Sequence, residues 1–199
     1  MVDLPAGTPL STDIDRGFPV PITAFVDDAI PGVQPEEPQN TTINRVYTAF
    51  LTLRKESRIL QGTGPAVQGA DGTFSTDEKQ PQTGNIIEYR ITYTNISEAQ
   101  SGTGNVILPA SNVQIVENGI ANGNNWALDN DTNGVIDTSN VVGSATGTGT
   151  VQFFNGNPVT LGTDQTGTTA ATDVTQYINN VGTVQPTVNG TFIFQRRVN

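Results

Sequence analysis

The residues of this chain best equipped for chemistry lie in one run, Asn125 to Asp137, NWALDNDTNGVID. Within it Asp129, Asp131 and Asn133 alternate, Gly134 follows, Ile136 is apolar and Asp137 closes the run, giving D-x-D-x-N-G-x-I-D. A hard cation such as calcium takes six to eight oxygen ligands, and alternating Asp and Asn on a tight turn supply several from one side. Gly134 permits the left-handed backbone such a turn needs. The spacing matches the first nine positions of an EF-hand loop and nominates Asp129, Asp131, Asn133, the main-chain carbonyl of Val135, and Asp137 as ligands. Position twelve, where a bidentate Glu would complete the shell, is Asn140, so the expected site is weak and structural. Asp-Asn-Gly clusters also make plain turns. Strict alternation followed by Gly and a hydrophobe is the less common pattern and favours the ion.

Composition removes most other chemistry. The chain of 199 residues has no cysteine and no histidine. Disulfides, thiolate metal sites, the commonest general base and every Ser/His/Asp or Cys/His arrangement are therefore absent, and an enzyme is not expected. A net charge of -10, from nine basic and nineteen acidic residues, argues against nucleic acid and anionic membrane surfaces as partners. No run approaches the eighteen or so apolar residues of a membrane span, and the Met1 end lacks the basic and apolar regions of a signal peptide. The chain then reads as a fragment, a mature form, or one whose export signal lies elsewhere. Acidity and a weak calcium site fit an extracellular or cell-surface location.

The elements that must position the acidic run are strands. Abundant Gly, Thr, Asn and Asp, with Val, Ile, Thr and Phe in the apolar runs, is an all-β composition. The clearest strand is Gly84 to Asn95, GNIIEYRITYTN, with Ile87, Tyr89, Ile91 and Tyr93 on the core face and Glu88 and Arg90 on a solvated one. Ile43 to Ile59 is a second strand, Gln61 to Thr83 a loop or loose hairpin, and Val106–Leu108, Val113–Val116 and Thr148–Phe154 are shorter strands. Trp126 is a core plug that fixes the stem of the acidic loop. Tyr177 to Val188 and Thr191 to Val198 read as a terminal hairpin turning at Asn189-Gly190. Residues 1–44 form an extended Pro-rich segment with one strand at most, in which Val20, Ile22, Ala24 and Val26 alternate. Residues 45–199 form the main domain, a Greek-key β-sandwich.

The strand pattern G-N-x-I-x-Y-x-I-x-Y-x-N resembles the signature strand of conserved-repeat domains in bacterial envelope proteins, the family called domain-of-unknown-function eleven. FLTLRKES, Phe50 to Ser57, resembles its first strand, and the acidic loop and the ending FQRRVN resemble a subgroup met in cyanobacterial exported proteins. The resemblance covers roughly residues 47–199. It implies an Ig-like sandwich on a secreted or surface-anchored protein, with residues 118–175 as an insertion carrying the calcium loop. Related surface domains form Lys-Asn isopeptide bonds assisted by an acid. Lys55, Glu88 and Asn95 or Asn199 have the right types here, but Lys55 reads as a strand end, Glu88 as a solvated face and Asn199 as a terminus, so no such bond is expected among them.

The leading expectation is a non-catalytic structural protein, a calcium-stabilised subunit or module of a surface layer, filament or appendage. Its partners would be copies of itself or other envelope proteins. The segment Val20, Ile22, Ala24, Val26 would either lie on its own sandwich or add as a strand to a neighbour. The alternative is an adhesion module recognising polysaccharide or another envelope protein, with Trp126, Tyr177 or the Gly/Thr-rich loops as its platform.

Overall fold

The computed structural model describes residues 18–25, 39–46, 51–97, 108–155 and 174–199, the first two stretches as backbone only. The regular elements of the described chain are all strands apart from one 3₁₀ turn, Gly69–Gly72. β1 (Phe18–Phe25) and β2 (Gln39–Val46) pair antiparallel as a two-stranded sheet. The remaining strands form two antiparallel sheets: β3 (Leu51–Leu60), β4 (Ile86–Asn95), β9 (Asn189–Val198) and β6 (Thr138–Asn140), in the order β3-β4-β9-β6; and β5 (Ala110–Asn118), β8 (Val174–Val184) and β7 (Thr150–Asn155), in the order β5-β8-β7.

The two sheets share one core, as in a β-sandwich. Period-two alternation puts Ile87, Tyr89, Ile91 and Tyr93 of β4 on the inner face. Opposite them on β9 stand Arg196, Phe194, Phe192 and Gly190. From the other sheet Tyr177 brings its ring centroid to 4.5 Å from that of Phe194. At the far end of β4 the buried Asn95 amide donates to the carbonyls of Leu108 and Val184, at 2.8 and 2.9 Å, and ties this strand to β8.

Several expectations are corrected. The strand expected over Ile43–Ile59 is two: β2 ends at Val46 and belongs to the β1 pairing, and β3 starts at Leu51. The N-terminal segment therefore contributes a second strand from Gln39. Val26 and residues 26–38 lie outside the described residues. The expected terminal hairpin is a crossover between sheets, since β8 and β9 belong to different ones. Its turn is at Pro186-Thr187, with Thr187 at φ +64° and Val188 N–H donating to Gln185 O at 3.1 Å, the pattern of a type II turn. Asn189-Gly190 sits inside β9 instead. Gly190 is required by packing: a Cβ there would lie 2.1 Å from the Tyr93 hydroxyl.

The face carrying Glu88 and Arg90 is only partly solvated. Glu88 is 7% exposed, held by Arg58 Nε at 2.7 Å and by the Gln195 amide. Arg90 bonds Glu56 at 2.8 Å, and Phe74 lies against both guanidinium groups, 3.9 Å from Arg90 and 4.6 Å from Arg58. The β3–β4 loop carries Phe74 across the sheet and is pinned by paired backbone bonds between Ser57 and Ser75. Alternation assigns a face; it does not say whether a loop will cover it.

Candidate metal centre

The acidic loop is built outward from a buried stem. β5 ends at Asn118, whose Oδ1 accepts the N–H of Ile120 at 3.0 Å. Gly119 then passes beneath Trp126 and Ala127 so closely that a Cβ would lie 2.4 Å from that of Ala127. Trp126, 2% exposed, packs on Tyr177 and Phe194 with centroids 5.3 and 5.5 Å away. It is the core plug the sequence predicts. The two sides of the loop meet where Asp137 N–H donates to Leu128 O at 2.9 Å and the Thr138 hydroxyl donates to Trp126 O.

Within that frame Asp129, Asp131 and Asp137 each offer a carboxylate oxygen, all lying within 4.8 Å of one another. Calcium–oxygen bonds run 2.3–2.6 Å, so ligands across one ion are at most about 5 Å apart, and the three carboxylates fit a single shell. Gly134 (φ +87°) and Thr132 (φ +57°) take left-handed backbone and turn the chain around them. The Asp129 carboxylate also accepts the N–H groups of Asn133 and Gly134, at 3.1 and 2.8 Å. Asn133 acts as a brace: its amide donates to Asp131 Oδ2 at 2.9 Å and its Oδ1 accepts Val135 N–H at 2.8 Å. The Val135 side chain is exposed. Asn130 N–H donates to Asp137 Oδ2 at 3.1 Å. Asn140 is turned away from the loop, its Oδ1 accepting the Tyr177 hydroxyl at 2.6 Å.

Two supports escaped the sequence reading. Asn199 clasps the loop, donating its N–H to Asp137 O at 2.9 Å and its amide to Ile136 O at 2.8 Å. Arg196 is fully buried beneath the stem. Its guanidinium donates to Thr138 Oγ1 (2.9 Å), Thr138 O (2.7 Å) and the Tyr177 hydroxyl (3.2 Å) and lies 4.8 Å from the Trp126 ring. Among the described residues no carboxylate pairs with it. Burial pushes the Tyr177 phenol up, with Arg196 pulling the other way. The signal for Arg196 was present in the sequence: it shares the parity of Phe192 and Phe194, the core face of β9.

A second polar group lies beside the first. Lys55 pairs with Ile91 across β3 and β4, so it stands on the inner face. Its Nζ donates to Glu117 Oε2 and to Asn124 Oδ1, both at 2.5 Å, and sits 4.9 Å from the Tyr89 ring. Burial pushes the Tyr89 phenol up to about 12, opposed by Arg196 and aided by Glu117. A cleft of about 520 Å³ runs between the two groups, lined among others by Lys55, Tyr89, Asn124, Trp126, Asn130 and Asp137.

Comparison with family models, curated proteins and solved structures finds no match. The family resemblance therefore rests on the strand signature and the loop themselves.

Proposed function

We propose that the protein is a non-catalytic structural module for the exterior of a cell, a β-sandwich whose acidic loop binds calcium. The observation that carries this reading is the convergence of Asp129, Asp131 and Asp137 within 4.8 Å on a loop tied at both ends to the core. Asn133 and the Val135 carbonyl are the remaining proposed ligands, with water completing the shell. A site of this kind matters where calcium is plentiful, which is why a surface layer, filament or appendage suits it. The likeness to Ig domains is one of two-sheet architecture. Among the described strands, β9 stands between β4 and β6, where the constant-type Ig order ABED has its fifth strand rather than its last.

The polysaccharide alternative is weakened by burial: Trp126 is 2% exposed and Tyr177 fully buried, so neither can serve as a stacking platform. Assembly by strand addition through Val20, Ile22 and Ala24 meets a backbone obstacle. Proline has no N–H, so Pro19 and Pro21, which stand in register with Arg45 and Ile43 of β2, can donate nothing to a strand on either side.

Thermal unfolding in calcium and in chelator tests the reading. With affinity in the weak extracellular class, Kd about 10⁻⁴ to 10⁻³ M, tenfold excess calcium adds about 1.4 kcal/mol. Asp131→Ala, at an exposed position, removes the increment without lowering stability in chelator. An equal calcium response in wild type and variant would sink the assignment.

A further inference from the structure

We propose that Lys55 and Asn124 join in an intramolecular isopeptide bond, with Glu117 as the proton carrier. The geometry of these three side chains is independent of the calcium loop. An ordinary ion pair would need only Lys55 and Glu117. Here a carboxamide completes the group, and each of its two polar atoms meets the partner that amide exchange requires. Asn124 Oδ1 is 2.5 Å from Lys55 Nζ, so the carboxamide carbon lies at most about 1.2 Å further off, one C=O bond length. Asn124 Nδ2, the leaving group, lies 3.3 Å from Glu117 Oε2, the same oxygen that holds Lys55 Nζ at 2.5 Å. One carboxylate oxygen thus touches both the nucleophile and the leaving group, as a general acid–base must.

All three groups are held on fixed backbone. Lys55 lies mid-ladder in β3, and Glu117 lies in β5 opposite Tyr177. Asn124 closes a turn made by the positive φ of Asn122 and Gly123, with its N–H on Ala121 O at 3.0 Å and its amide on Asn118 O at 2.8 Å. Holding the reacting groups in place removes most of the entropic barrier to an otherwise slow amide exchange. Glu117 is 9% exposed, the Tyr89 ring lies against one side of the amine, and the adjoining cleft gives ammonia a way out.

The reaction balances with no added reagent. Glu117 accepts a proton from the Lys55 ammonium, and the freed Nζ attacks Cγ of Asn124. Glu117 passes that proton to Nδ2, the Cγ–Nδ2 bond breaks, and ammonia departs. As the amide forms, Nζ sheds its surplus proton through Glu117 to the ammonia. In net terms an ammonium and a carboxamide become a secondary amide and an ammonium ion. The bond would link β3 of one sheet to the turn after β5 of the other, across 69 residues of chain, and lock two edge strands against sliding.

Intact mass of the purified, folded protein, followed by peptide mapping, is the test. The expected result is a mass about 17 Da, one ammonia, below that of the sequence, and a branched peptide containing Lys55 and Asn124. Lys55→Arg and Glu117→Gln proteins should show the full mass. The Asn-Gly pairs impose a control, because succinimide formation there also loses one ammonia. A deficit that persists in Lys55→Arg, or one without the branched peptide, overturns the proposal. So does a wild-type chain at full mass after days in the folded state. Branching in Glu117→Gln at the wild-type level would remove Glu117 from its role. The branched peptide is read on the wild-type chain alone, so a variant that fails to fold does not spoil the test.

Discussion

The acidic loop and the Lys55 group flank Trp126 in the chain, yet they are assembled in opposite ways. Asp129, Asp131 and Asp137 come from one turn, and their spacing alone announces them. Lys55, Glu117 and Asn124 come from β3, β5 and a turn, with separations of 62 and 69 residues between the amine and its two partners. The first group is local chemistry held by a tertiary frame. The second exists only because that frame brings the sheets' β3 and β5 edges together. Both depend on the same wall of Trp126, Tyr89, Tyr177 and Phe194.

Breaking the shared wall should have the largest effect. Trp126→Ala removes the plug over Gly119 and Ala127 and should cost about 3–5 kcal/mol, the range for large-to-small aromatic changes in a core. It should also blunt the calcium response, because the loop stem loses its seat. Chemical denaturation with and without calcium measures both. A stable variant with an undiminished calcium increment would show that the loop holds itself and that the two groups are independent.

A smaller effect separates the two sides by pH. Burial raises the Tyr89 phenol from 10.0 to about 12, and the Tyr177 phenol in the same direction. A folded pKa above the unfolded one gives stability that is complete below pH 10 and is lost as pH rises toward about 12, where the unfolded chain ionises first. Tyr89→Phe should therefore flatten part of the alkaline limb of a stability–pH curve while leaving the calcium increment at neutral pH unchanged. An alkaline limb identical to that of the wild type would mean that the Tyr89 phenol is not shielded beside Lys55.

The same contrast explains what was legible in the sequence. The all-β class, the inner face of β4, the plugging role of Trp126 and the acidic cluster all follow from local pattern. Lys55 shares the parity of Leu51 and the buried Ile59, so its inward face was readable; its flanking Arg54 and Glu56 made it look like a strand end instead. Glu88 was misplaced because Arg58 and Gln195, distant in sequence, reach its carboxylate, and Phe74 of the β3–β4 loop lies against Arg58. Asn189-Gly190 misled because glycine serves close packing against Tyr93 as well as turns. β6 is three residues long, too short for alternation to reveal, and gains its place by pairing with β9.

The most direct test of the central claim is a calcium titration of isotopically labelled protein followed by amide NMR. Shifts are expected at Asp129 to Asp137, led by Gly134, whose N–H already donates to Asp129 Oδ2, and at Asn199, which clasps the loop. They should saturate with Kd about 10⁻⁴ to 10⁻³ M. Amides of the loop that stay unmoved through millimolar calcium, or shifts spread evenly over the acidic surface, would contradict a calcium site at this loop.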